Sequence, residues 1–435
     1  MSLLSDILHS ESPSLVRHAQ LEPAAGPATP VAPAVYPSDT DGRTYRINQN
    51  APVLLPDDEG FLFTNSGRTA PSVVISSVAG EATRAEPVIY HDPELYPWLP
   101  AVEITAPSDS DIEEAVEKSM ARAIKNMPSL ESQARRAELG DVLKQLRTSS
   151  WELSHRHIDS WVRYSLTEEN GKALWSQPSC DLYREIVSSE AATIAGVSLN
   201  SVIWGYWLAS GATSTHRRAR SISSQIIGTG ASPSPVFATK TPGKLPASGR
   251  TRLVLDDGEL TVVESDSKVK GIKPKQPSAF GLGAIITSGD SVPIHYTCES
   301  IASLTSVSLA DLRALDRYEV KEPVIRAALG VSMLATELVA NDGHIRSECD
   351  LVEIAPPAWG LRVRGQRGAR RIEADVDELR QETLEALEES VKAGFLPAAE
   401  QGSGARKIKL RMSSSMAQVV LDALLATAAK SSTDE

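Results

Sequence analysis

The sequence predicts an α+β fold, with helices segregated from a sheet and a basic hairpin inserted into it. Two observations lead there. Short β-branched or aromatic runs at 71–76, 201–207 and 344–354 are interspersed with segments of helical apolar spacing at 111–127, 321–340 and 376–394. The pair Asp257-Gly258 sits between RTRLVLDD and ELTVVES, a strong hairpin signal. No internal repeat is visible.

The elements follow in order. Residues 22–37 are rich in Pro and Ala and cannot form a regular helix, so 1–50 reads as an extended N-terminal segment. PSVVIS (71–76) is a strand. Val78, Ala82 and Ala85 then recur at helical spacing, giving a short helix that Pro87 ends. Ile112, Val116, Met120 and Ile124 make a clearer helix, stopped by Pro128 and followed by a second to Arg147; residues 111–147 read as a helical insertion. SVIWGYW (201–207) reads as a buried strand and 211–221 as a polar, basic loop or helix start. Residues 229–280 turn rich in Pro, Gly, Ser and Lys and carry the hairpin, so they read as an insertion. KEPVIRAALGVSMLATELVA (321–340) is apolar on nearly every face, a core helix ended by Asn341-Asp342-Gly343, and HIRSECDLVEI is the next strand. Val376, Leu379, Leu387 and Val391 make an amphipathic helix that Gly394 caps; 373–435 reads as a helical tail.

Composition bounds the function. The chain has 435 residues, 41% hydrophobic and 23% charged, enough for a sizeable core. Cys180, Cys298 and Cys349 have no CxxC spacing, which argues against a disulfide framework or zinc site and for a cytoplasmic protein. MSLLSDILHSESPSL has neither a basic n-region nor a long apolar core, and no membrane partner is expected. The net charge of -12 opposes casual nucleic-acid binding, but the basic residues are segregated. Between Asn200 and Lys275 eleven Lys/Arg face five acids, a local charge of +6. A second cluster is Arg362, Arg364, Arg367, Arg370 and Arg371, followed at once by IEADVDELRQETLEALEES with eight acids. Each cluster has a bland reading as a solvated surface.

The chain carries no GxSxG, HExxH, Walker A or placed GxGxxG, and GLG at 281–283 is too little for a phosphate loop. His155, His157 and Asp159 suggest a metal set only weakly, since a spacing of two puts the histidines on different helical faces. His216 is the one candidate general acid/base in the basic loop, with no second catalytic group beside it. The chain therefore reads as a non-enzyme without metal or cofactor. The remaining constellation is basic loops, a hairpin and glycine-rich connections. Arg217, Arg218 and Arg220, with Ser221, can meet phosphates through paired donors. Lys268, Lys270, Lys273 and Lys275 extend the basic stretch toward Gly281 and Gly283. Arg84 can act likewise, with the helix start at Ser77 adding its dipole; its bland reading is an ion pair with Glu81 or Glu86.

Six segments in fixed order resemble one family. They are VAPAVYP with Tyr45; VVISSVAGEATRAEPV, with Ser77, Val78, Arg84 and Glu86; SHRHIDSWVRYSL, with His155, Arg156 and Asp159; SVIWGYWLASGATSTHRRARSISSQIIG; PSAFGLGAI; and GHIRSECDLV. Together, over about 20–355, they are similar to the Cas seven subunits of type I-G (formerly I-U) CRISPR systems, members of the RAMP superfamily. The resemblance implies an RRM-like (ferredoxin-like) palm over 51–110, 148–228 and 281–372, with 229–280 as a thumb. It implies a non-catalytic subunit that polymerises along a crRNA. Its partners would be the crRNA, target DNA through the guide, neighbouring copies, the large subunit and the Cas five/six-type subunit. In such complexes base pairing reads the target and the protein reads backbone and shape. Two alternatives stay open: a CRISPR-repeat RNA endonuclease of the same superfamily, and an RNA-virus coat protein.

Overall fold

The computed structural model describes residues 2–38, 42–57, 61–124, 133–208, 216–235, 238–240, 251–256, 259–264, 274, 285–287, 294–355 and 358–431. Helix α1 (Leu3–His9) leads into strand β1 (Ser14–Pro23), a hairpin of β2 (Ile47–Pro56) and β3 (Phe63–Ser76), and helix α2 (Val78–Tyr90). Strand β4 (Ala101–Thr105) and helices α3 (Asp109–Ile124) and α4 (Gln133–Lys144) follow. Then come α5 (Leu199–Trp204), β5 (Tyr206–Leu208), β6 (His216–Arg218) and β7 (Ile222–Thr229). An arm comprises β8 (Ser232–Pro235), β9 (Ala238–Lys240), β10 (Thr251–Asp256), β11 (Glu259–Glu264), β12 (Ile285–Thr287) and β13 (Ile294–Thr297). The chain continues through β14 (Ser300–Ser308), α6 (Leu309–Ala314), α7 (Glu322–Asp342), β15 (His344–Arg346) and β16 (Cys349–Glu353). Last are β17 (Ala358–Arg362), β18 (Ala369–Ile372), α8 (Val376–Lys392), β19 (Lys407–Arg411) and α9 (Ser414–Ser431).

The fold is α+β, built on a nine-stranded antiparallel sheet of order β15-β16-β1-β14-β7-β3-β2, with β17 also on β1 and β18 on β17. Along the chain, β1, α2, β7, β14, α7 and β16 follow as β-α-β-β-α-β. Their strands lie in the order fourth, first, third, second. Alternation in β1 sends Leu15, Arg17, Ala19 and Leu21 toward α2 and α7, where Leu15 is fully buried. Arg17 forks onto Glu337 of α7 (2.8 and 2.9 Å) and onto Glu353 of β16 (2.8 and 3.1 Å), and Trp359 of β17 donates to Glu337 (2.7 Å). Desolvation works against the Arg17 charge, but Glu337 and Glu353 more than offset it and raise its pKa.

Helix α7 is long and apolar enough to cross a membrane, yet 72% of its apolar window is buried inside the protein as the core helix. Gly343 closes it with φ of 64°, a left-handed position that glycine takes without strain. The hairpin of β2 and β3 arches over the opposite face of the sheet. There Phe61 and Leu62 pack on Val16 and Ala358, and the Phe63 N–H donates to His18 Nδ1 (3.0 Å).

The structure changes several expectations. Residues 14–23 are a central strand, so the first fifty residues are not an extended arm. Helix α2 runs past Pro87 to Tyr90; burial of Ile89 and Tyr90 holds its last turn although Pro87 lacks a donor. The 201–207 run divides at Gly205 into helix α5 and strand β5. HIRSECDLVEI is a hairpin of β15 and β16 rather than one strand. The strands on either side of the expected turn pair, with Asp256 opposite Glu259, while Asp257 and Gly258 lie outside the described residues; the arm's nested pairs run from Ser232↔Thr297 inward, beyond the expected 229–280. The C-terminal segment is no tail: β19 pairs in parallel with β4 in a second, four-stranded sheet, and α9 packs on α3.

Candidate nucleic-acid interface

The expected basic loop is a two-stranded ribbon. Helix α5 ends at Trp204, and Gly205 (φ 75°, ψ 171°) turns the chain into β5. A Cβ at Gly205 would lie 2.6 Å from the Arg218 carbonyl oxygen, so the close approach of β6 requires glycine. In the ribbon, His216, Arg217 and Arg218 oppose Leu208, Trp207 and Tyr206. Directly opposed residues share a face. Leu208, Tyr206 and Arg218 point inward: Arg218 donates to the Val202 carbonyl (3.0 Å) and to Asp311 (2.8 Å), which also accepts from Ser221 Oγ (2.5 Å). Trp207 and Arg217 point outward, Trp207 at 64% exposure, and Arg220 is exposed beyond them.

A buried polar network fixes this ribbon from beneath. Arg156 donates to the Gly205 carbonyl (2.7 Å) and forks onto Glu86 (2.8 and 2.6 Å). Asn200 bridges Glu86 (2.6 Å) and the Ser150 carbonyl (2.9 Å). Burial pushes the Glu86 carboxyl up, while the charge and hydrogen bonds of Arg156 and the amide of Asn200 oppose the shift. Arg156 sits at φ 54°, a conformation uncommon outside glycine, and its three side-chain bonds hold it there. Next to it His157 is fully buried, 2.7 Å from Ser201 Oγ and edge-on to Tyr206 at 4.8 Å. Burial, then the Arg156 charge, push His157 down to about 3.

These contacts redistribute the predicted residues. His155, His157 and Asp159 do not form a metal set: His157 is in the core, and Asp159 caps a short helix by accepting from the Trp161 N–H (3.0 Å) and from the His155 N–H (3.1 Å). Among the described residues no group of three or more His, Cys, Asp or Glu side chains converges as a metal site. Arg84 is tied into the protein, to Glu81 (3.1 Å) and to the carbonyls of Val339 and His344 (both 3.2 Å). Ser77 caps its own helix, accepting from the Gly80 N–H (3.1 Å). Arg218 and Ser221 are likewise used internally by Asp311. Lys268, Lys270, Lys273, Lys275, Gly281 and Gly283 lie outside the described residues. Arg217 and Arg220 remain as outward cations. Trp207 is not among the residues expected from sequence, because SVIWGYW reads as one buried strand; the break at Gly205 turns it outward.

The architecture defines an α+β protein presenting a basic and aromatic ribbon on a rigid buried network. Residues 15–233, half of the chain, match the family described as CRISPR-associated protein GSU0053 (Cas_GSU0053). The chain belongs to this family and is a CRISPR-associated (Cas) protein. The matched stretch runs from β1 into β8 and includes the whole ribbon. No curated protein matches the chain.

Proposed function

We propose that the protein is the non-catalytic backbone subunit of a type I-G Cascade complex, in which many copies line one crRNA. One observation carries the reading: Trp207, Arg217 and Arg220 stand exposed on a ribbon whose inner face is locked into the core. An indole beside guanidinium groups suits a single-stranded nucleic acid, since it stacks any base while the cations hold phosphates. The family membership supports a role in CRISPR defence. The strand order of the sheet suits an RRM-like palm, and the nested arm suits a thumb. Target DNA would be met through the guide, and neighbouring copies, the large subunit and the Cas five/six-type subunit would complete the assembly.

The test is fluorescence anisotropy with labelled single-stranded RNA. Trp207→Ala should weaken binding by about 1–3 kcal/mol, the worth of one stacked base. Arg217→Gln with Arg220→Gln should flatten the salt dependence by about 0.7 per lost phosphate contact. Unchanged binding in both variants would refute the reading. So would cleavage of a repeat RNA that disappears in His216→Ala, because the protein would then be a nuclease.

A further inference from the structure

The arginine-rich hairpin of β17 and β18 has no part in the ribbon or in the network beneath it. Arg362, Arg364, Arg367, Arg370 and Arg371 are all exposed, and no acid occurs from 355 to 372. Among the described residues only Arg371 meets a carboxylate within 4 Å: Glu373, at 2.9 Å and itself 85% exposed. In a chain of net charge -12, five cations gathered on one short hairpin with a single acid at its end form a local positive field.

The hairpin is also held firmly. Strand β17 pairs with β1 from Ser14↔Arg362 to His18↔Ala358, and Trp359 and Leu361 are buried beneath it. Arg362 donates to the Gly368 carbonyl (3.1 Å), closing the turn that carries Arg364 and Arg367.

Its place in the sheet matters most. Arg362 lies opposite Ser14, Ser14 lies opposite Ser308, and the Ser308 N–H donates to the Ser221 carbonyl (2.7 Å). The hairpin and the end of the ribbon therefore share one rim of the sheet. Arg362 and Ser221, the latter three residues past the last ribbon residue Arg218, are three strand spacings apart, about 14 Å. That is the reach of a short stretch of extended nucleic acid.

We propose that the β17–β18 hairpin is a second phosphate-binding surface on the same rim, which holds the RNA backbone a few nucleotides from the base stacked on Trp207. The inference rests on the RNA-binding reading of the ribbon. Guanidinium forks match phosphate oxygens in pairs, and a run of phosphates supplies the counter-charge that the fold withholds.

The experiment uses the full chain with labelled single-stranded RNA of about 30 nucleotides, over about 50–400 mM salt. The hairpin variant is Arg364→Gln/Arg367→Gln/Arg370→Gln, which leaves Arg362 and Arg371 in their contacts with the protein. Three lost phosphate contacts should lower the salt slope by about 2 and the affinity near 0.1 M salt by at least about tenfold. An unchanged melting temperature should accompany this, since the three side chains are exposed. Trp207→Ala should lose affinity with its slope kept, and the combined variant should show both losses. If the hairpin variant keeps wild-type affinity and slope while the ribbon variants lose theirs, the second surface is wrong and the ribbon reading stands. Loss of binding to single-stranded DNA but not RNA, or altered self-association with RNA binding intact, also overturns it. Failure of the wild-type chain to bind RNA overturns both.

Discussion

The pair of Glu86 and Arg156 offers the sharpest test of how the ribbon is held. The two side chains are 5% and 11% exposed and share two hydrogen bonds of 2.8 and 2.6 Å. Glu86→Gln keeps the shape and an acceptor for Asn200 but strands the Arg156 charge in the core. Breaking one side of such a buried pair costs about 3–5 kcal/mol. Arg156→Met leaves the Glu86 charge alone and also the Gly205 carbonyl without its 2.7 Å donor, a further loss of about 1–3 kcal/mol. The double variant removes both charges and retains only that second loss, so it should be more stable than Arg156→Met. The single losses together should exceed that of the double variant by about 6 kcal/mol or more, a coupling above the roughly 0.5–3 kcal/mol of ordinary neighbours. Urea unfolding of the four proteins at neutral pH measures it, with m-values unchanged. Additive losses would refute the reasoning, because the charges would then not be compensating one another. RNA affinity gives a second readout: Arg156→Met should weaken binding while the chain is still folded, since Gly205 is the hinge of the ribbon.

Two further outcomes are expected. His157 sits at about 3 in the fold against 6.5 for an ordinary histidine, so the unfolded chain takes up its proton first as pH falls. The stabilisation is complete above about pH 6.5 and is lost on the acid side, at about 1.4 kcal/mol per pH unit, or about 2 kcal/mol between pH 7 and 5. His157→Asn should remove that share of the acid sensitivity in urea titrations at the two pH values; an equal loss in both proteins would contradict it. His18, pushed to about 4 by burial and then by the Arg362 charge, works in the same direction. Gly205→Ala places a methyl against the Arg218 carbonyl at φ 75° and should lower stability by about 1–3 kcal/mol or more, read as a lower melting temperature in calorimetry.

Much of the fold was legible where local chemistry decides it. The helix after PSVVIS begins at a serine cap, Thr251–Asp256 and Glu259–Glu264 pair as the two strands expected around 257–258, and α7 and α8 follow their apolar spacing. SVIWGYW was not legible as helix then strand, because a short continuous apolar run fits either state. Its glycine was the only local mark of the break. Arg84 and Arg218 show why the site was only partly visible. A basic residue beside glycine and serine reads as a phosphate ligand, yet their partners, Glu81 with the Val339 and His344 carbonyls, and Val202 with Asp311, are chosen by tertiary packing. Arg46 carried no such signal and in the fold lies over the Tyr36 ring at 4.8 Å, while Tyr45, part of the family resemblance, packs edge-on to Tyr296 at 5.6 Å.

The parallel pairing of β4 with β19 joins Ala101 to Lys407. A ribosome adding about 5–20 residues per second makes the second partner only some 15–60 s after the first. Through that interval the edge of β4 is a bare row of donors and acceptors on a growing chain, the kind of edge that recruits stray strands. The emergence of Lys407–Arg411 is thus the moment at which this edge is first covered. Slowing synthesis between residues 105 and 407 should raise the insoluble fraction more than the same delay placed before residue 101.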